Sequence, residues 1–250
     1  MNLEISKGEM LVLADRGDLA SGILKCAAEL GSIEGLKVKS GKGVRKLYLK
    51  NPEDLNPKWN LEKIFKFFRR MGKLDEALFF HEISHLGVSM KTPLEELSDE
   101  MIAFLYGVLG MAMKIDLLIL DSIIDTMGSA FKERFLPLIK EKKESASGFF
   151  VSSTNPFSLL KLCDRLVIFK GRKVLFNGPI DLLSNFRQIS LPTDVKGLER
   201  FRLFSINRTH LGINALVADE PTIHALKVEL GENINVQDIP VEEVVKRLLV

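Results

Sequence analysis

The chain has 250 residues, 46% of them hydrophobic and 27% charged, with a formal net charge of +2 at pH 7. That composition belongs to a folded protein with room for one large α/β domain, or for one domain and a small appendage, and it gives no charge-driven pull toward nucleic acid or membrane. The two cysteines, Cys26 and Cys163, lie far apart without metal-type spacing, which excludes a disulfide framework or a cysteine zinc site and fits a reducing compartment.

The first ten residues, MNLEISKGEM, contain no apolar signal core. Leu3 and Ile5 alternate with polar residues and predict an edge strand, and the run Met10–Leu13 predicts a buried one. A loop near Gly17 leads into a helix expected over Ser21–Leu30, ended by Gly31. Lys37–Lys50 carries six basic residues and no acid. It reads as a solvated hairpin, because a nucleic-acid face would want aromatics interleaved beyond Tyr48. Asn60–Gly72 predicts a helix with Leu61, Ile64, Phe65, Phe68 and Met71 on its core face and Lys63, Lys66 and Arg70 away from it. Phe67 and the pair Phe79-Phe80 leave room for a partner groove. His81 and His85 fall one helical turn apart and read as a surface pair, since no cysteine or third histidine is near.

Further along, a helix is expected from Ser98 to Met113, a buried strand over Asp116–Asp121 and a helix over Gly128–Lys143. A strand at Phe149–Ser152, a helix at Phe157–Cys163 and a strand pair, Leu166–Phe169 with Lys173–Phe176, follow. The most apolar stretch, Met101–Ile124, is broken by Lys114, Asp116 and Asp121 and falls short of a membrane span. After Leu191 the texture changes to short strands at Phe201–Ile206, Ala215–Val217 and Ala225–Val228 and a closing helix at Val241–Leu249. Continuous apolar strands alternating with helices predict an α/β fold with a mostly parallel sheet.

Five segments, in order, carry a family resemblance. They are Ser6-Lys7-Gly8-Glu9-Met10, Tyr48–Glu53 with Trp59-Asn60-Leu61, Leu97–Met101, Leu117–Asp121, and Ser152-Ser153-Thr154 with Cys163-Asp164-Arg165 and the stretch to Pro179. The chain resembles the ATP-binding (ATPase) subunit of an ABC transporter over residues 3–187. The segments stand for the "kGE" before the P-loop, the Q-loop, the "LSGGQ" signature, the Walker B strand, and the H-loop with its following hairpin.

The resemblance implies a P-loop NTPase-like domain over 1–190, with a helical subdomain at about 51–113, a truncated N-terminal β-part and a small α+β appendage at 191–250. Met90–Pro93, Lys114–Asp116 and Ser129–Lys132 are similar to exporters of the capsule, O-antigen or teichoic-acid type.

The family's phosphate chemistry is mainly positioning and charge stabilisation, and here its residues are replaced. Against G-x-x-x-x-G-K-[ST] the chain has Ala14, Leu19, Ala20 and Ser21, with Gly17 and Asp18 between. Two unit charges about 4 Å apart interact by roughly 4 kcal/mol at an effective dielectric of 20. Losing the lysine and gaining Asp18 therefore weakens nucleotide affinity by orders of magnitude. Ser122 stands at the catalytic Glu, Thr154 at the H-loop His, Asn51 at the Q-loop Gln and Gly128 at the D-loop Asp. Asp99 and Glu100 replace the signature glycines, at a helix N-terminus that would otherwise meet a γ-phosphate.

No catalytic residue is expected. Gly17, Ser21 and Asn51 are what remains of a nucleotide site, and Ser21 with Asp121 of a Mg²⁺ pair. The alternative for that pair is a hydroxyl near a helix start and an Asp at a strand end. No cofactor is expected, with weak Mg–ATP binding as the alternative. The expected partners are a membrane permease subunit and a second ATPase subunit or a second copy, not nucleic acid. The expected place is cytoplasmic, peripheral at the inner face of the membrane through a partner. Two other readings stay open: an atypical but active ATPase using Arg16 or a lysine of Lys37–Lys50, and a free-standing anion- or partner-binding module.

Overall fold

The structure is a computed structural model and describes all residues except 1, 32–36, 40–42, 51, 53–54, 146 and 232–233. The chain divides into two compact units, Met1–Asp164 and Arg165–Val250.

In the first unit, β1 (Asn2–Glu4), β2 (Met10–Ala14), α1 (Leu19–Ala27), β3 (Lys37–Lys39) and β4 (Lys46–Lys50) come first. The helices α2 (Leu61–Met71), α3 (Glu76–Leu86) and α4 (Asp99–Ala112) follow, then β5 (Leu117–Asp121), α5 (Ile123–Thr126), α6 (Ser129–Glu144) and β6 (Gly148–Ser153). Four strands pair in parallel in the order β4-β5-β6-β2. Every residue of β2, β5 and β6 is buried, which is why these strands read as apolar runs, turning polar only at Asp121 and Ser152-Ser153 at their carboxyl ends. Each fully buried Leu, Ile, Val or Phe here contributes about 1.5–3 kcal/mol. Two aspartates tie the strands to their surroundings. Asp164 accepts the Met10 N–H and the Lys143 ammonium, each at 2.6 Å, and Asp116 accepts from the Arg45 backbone and guanidinium.

The helices start where capping chemistry puts them. Asn60, Asp75 and Ser98 accept the N–H groups of Lys63, Leu78 and Met101, giving α2, α3 and α4 their first turns. Helix α2 buries Leu61, Ile64, Phe65 and Phe68, as its 3.6-residue stripe predicts. Met71, expected on that face, is instead 52% exposed, because it belongs to the helix's last turn.

In the second unit, β7 (Arg165–Lys170) and β8 (Lys173–Pro179) form an antiparallel hairpin through Gly171, whose φ of 57° suits glycine. β9 (Arg187–Leu191), β10 (Leu203–Thr209), β11 (Gly212–Val217), α7 (Glu220–Leu230), β12 (Asn235–Asp238) and α8 (Val241–Leu249) complete it. Its four-stranded antiparallel sheet runs β10-β11-β9-β12. Ile189, Leu191, Ile213, Ala215 and Val217 of the sheet pack on Ile223 and Leu226 of α7.

The α/β, mostly parallel architecture expected from the sequence forms. Four local expectations are corrected. The basic stretch Lys37–Lys50 is no hairpin: β3 pairs in parallel with β1, and β4 pairs in parallel with β5. Ala225–Val228 is helix, not strand, because Asp219 accepts the Thr222 N–H and starts α7 with Pro221 in its first turn. The helix expected at Phe157–Cys163 shrinks to a 3-10 turn over Pro156–Leu159. Helix α1 begins two residues before Ser21 and ends at Ala27, short of Leu30.

Candidate functional site

Open parallel sheets present their ligand crevice at the carboxyl ends of the strands, and here four such ends converge. Asp15 follows β2, Lys50 ends β4, Asp121 ends β5, and Ser152 and Ser153 close β6. Together with Arg16, Gly17, Asp18, Ala20 and Ser21 from the loop and start of α1, and with Ser122 and Thr154, they line a cleft of about 310 Å³. The fold thus brings Gly17, Ser21, Asp121, Ser122 and Thr154 to one place. Asn51 lies outside the described residues.

The loop between β2 and α1 carries the most informative geometry. The Asp15 side chain is only 4% exposed. Its carboxylate accepts the Gly17 N–H at 3.0 Å on Oδ1 and the Ala20 N–H at 3.1 Å on Oδ2. These N–H groups belong to the turn and first turn of a helix, where the dipole and unpaired donors favour an anion. Asp15 supplies that anion from within the chain. A phosphate oxygen on the same two donors would have to displace it. The cleft walls carry three carboxylates, Asp15, Asp18 and Asp121, against two cations, Arg16 and Lys50.

Asp121, 1% exposed, is satisfied in the same way. Its Oδ2 accepts the hydroxyls of Ser21 and Tyr48, each at 2.6 Å, and its Oδ1 accepts the Ser152 hydroxyl at 2.7 Å. Burial raises the Tyr48 phenol well above its ordinary pKa, and the bond to the Asp121 carboxylate adds to the rise. Ser21 and Asp121 are therefore adjacent, as the expected Mg²⁺ pair requires. Mg²⁺ takes six oxygens in an octahedron, usually one or two carboxylates completed by phosphate and water. These two residues offer two of the six, and the phosphate cradle beside them is filled by Asp15.

The remaining family positions are tied to neighbours. Ser122 takes a left-handed backbone, φ 60°, and its N–H donates to Ser152 Oγ at 3.0 Å; it brings no carboxylate. Thr154 donates its N–H and its hydroxyl to Asp125 Oδ2 at 2.6 and 2.9 Å, and the Ser153 hydroxyl donates to the same carboxylate.

Helix α4 starts with Asp99 and Glu100 behind its Ser98 cap, so its dipole end is already met by acid. The Glu100 carboxylate lies against Gly128, where an added Cβ would push it aside. Glu100 is exposed, so its carboxylate can swing aside to admit a side chain at 128.

Sequence reasoning misses Asp15, Tyr48, Asp125 and the Glu100–Gly128 contact. Asp15 does leave a signal: an Asp two residues before a Gly is the pattern of a side chain closing on its own backbone. The other three depend on residues brought together from 28 to 73 positions apart. His81 and His85 meet at 3.1 Å on α3, and His81 also faces Glu82.

No protein-family model matches the chain. It is 25% identical over 184 residues to the polysialic acid transport ATP-binding protein KpsT of Escherichia coli, covering 70% of this chain and 80% of that protein. Among solved structures it is similar to a protein assigned as a cobalt transport ATP-binding protein, with TM-score 0.58, 16% identity, and 87% and 84% of the two chains covered. It is also similar to an ATP-binding subunit of an ABC transporter, with TM-score 0.57, 20% identity, and 72% and 82% covered. A third likeness is to a metal-chelate type ABC transporter in an inward-facing conformation, with TM-score 0.58, 12% identity, and 87% and 90% covered. The fold is that of ABC-transporter ATP-binding subunits.

Proposed function

We propose that this ABC-ATPase-like chain is a non-catalytic subunit, a scaffold or regulator of a membrane ABC exporter. One observation carries the reading: the Asp15 carboxylate sits on the Gly17 and Ala20 N–H groups, where the fold would otherwise hold phosphate. Hydrogen bonds from N–H groups to a charged partner are worth about 1.5–3 kcal/mol each, so a nucleotide must first break two of them. It must then enter a cleft with more carboxylates than cations, without the P-loop lysine and without a carboxylate at Ser122.

A scaffold needs surface rather than chemistry. A groove of about 350 Å³ is lined by Leu55, Pro57, Leu94, Leu97 and Ile102 and edged by Glu95 and Asp99. Its chemistry suits a basic amphipathic segment from the cytoplasmic side of a membrane permease. The relative's role in polysialic acid transport supports a polysaccharide as the cargo of that permease.

A second reading, an atypical active ATPase, draws on Arg16 and Lys50, which both line the cleft. The two readings diverge in a phosphate-release assay with Mg–ATP. The non-catalytic reading expects release no faster than from buffer alone. Turnover that Asp121→Asn abolishes would establish the second reading in its place.

A further inference from the structure

Helix α2 meets the core with one face and turns an unusual one outward. Its outer arc carries Phe67, 53% exposed, and Met71, 52% exposed, one helical turn apart. Lys63, Lys66 and Arg70 occupy the rest of that arc, and all three are exposed. Trp59, four residues before Lys63, extends the stripe: the Lys63 ammonium lies 4.6 Å above the centre of its ring. Residues 61–73 hold five cations and one acid, in a chain whose net charge is only +2. That acid, Glu62, is paired with Lys66 at 2.6 Å. Large apolar side chains in contact with water, interleaved with cations and a tryptophan, are the composition of a helix lying in a membrane interface.

We propose that the outer face of α2 binds an anionic lipid surface. Lys63, Lys66 and Arg70 meet headgroup phosphates, while Phe67 and Met71 enter the boundary between headgroups and acyl chains. A lipid surface fits better than a folded protein partner for a reason of charge. Phosphates are met by cations at any lateral position, whereas a protein patch would need acids placed opposite each one. The face shares no residue with the cleft, so its failure would leave the non-catalytic reading intact.

Trp59 is the chain's single tryptophan and lies on this face, so it reports binding directly. The full-length protein is titrated with vesicles of mixed phosphatidylglycerol and phosphatidylcholine and, separately, with pure phosphatidylcholine vesicles, following Trp59 emission and co-sedimentation. The expected result is a blue shift and sedimentation with the anionic vesicles only, weakened by added salt. At about fivefold per cation, Lys63→Gln with Arg70→Gln weakens the partition roughly 25-fold. Phe67→Ser with Met71→Ser weakens it without removing the salt dependence. All four side chains are exposed, and circular dichroism checks that the variants keep the fold. Equal binding to both vesicle types, no binding to either, or unchanged binding by the Lys63/Arg70 variant would overturn the proposal. Capture of a membrane protein by a photoreactive group at position 67, with vesicles left unbound, would overturn it in favour of a protein surface.

Discussion

At Asp15 a single carboxylate accepts the N–H groups of Gly17 and Ala20 in a nearly dry site. Replacing it by alanine leaves two partly buried donors without an acceptor, which costs about 1–3 kcal/mol. Asp15→Ala should therefore lower the melting temperature by several degrees, measurable by scanning calorimetry. It should also make the protein responsive to phosphate or sulfate, which can refill the vacated donors. An unchanged melting temperature would mean that the carboxylate is not holding the loop. Asp121 has the matching role at the end of β5, with Ser21, Tyr48 and Ser152 all directed at it. The sequence shows Asp121 plainly, as the acid that ends an apolar run. It shows Tyr48 only as one aromatic in a basic stretch, since nothing local reveals that β4 lies beside β5.

Elements show a different kind of legibility. Helices with a cap or a stripe are readable: α2 behind Asn60 and α4 behind Ser98 form where capping and periodicity place them, and α8 over Val241–Leu249 forms where periodicity places it. Strand pairing is not. The six cations of Lys37–Lys50 suggest a solvated hairpin, yet both strands in that stretch pair in parallel with strands far away in sequence. At Ala225–Val228 a short alternation is outweighed by the Asp219 cap upstream. The contact of α4 with the start of α6, Glu100 against Gly128, cannot be seen from either residue alone. It makes a prediction. Because Glu100 is exposed and its carboxylate is free to swing aside, Gly128→Ala should change stability by no more than about 0.5 kcal/mol. In denaturant titrations, a loss of about 1 kcal/mol or more that disappears in a Glu100→Ala background would show instead that the Glu100 carboxylate is held in place.

For the whole molecule, stability at alkaline pH follows from its tyrosines. The chain has two, Tyr48 and Tyr106. Burial raises the pKa of both above the ordinary value of 10.0, and at Tyr48 the bond to Asp121 adds to it. The folded state thus keeps protons that the unfolded state releases above pH 10. The corresponding stabilisation is fully present below that pH and is lost as pH rises through the folded values. Phenolate absorbance should stay low in the folded protein at pH 10 and appear together with the loss of secondary structure. Phenolate forming at pH 10 in the folded protein would contradict the partly buried placement of the two rings.

The question of function belongs to the same scale. The expected fold forms, no helix among the described residues is long and apolar enough to cross a membrane, and the Gly17 and Ala20 N–H donors at the cleft are held by the chain's own Asp15. The direct test is an isothermal titration of the full-length protein with Mg–ATP. The account predicts no saturable heat up to millimolar nucleotide, the range near −4 kcal/mol or weaker. Saturable binding at micromolar Mg–ATP would contradict it, because Asp15 would then be yielding its place to phosphate.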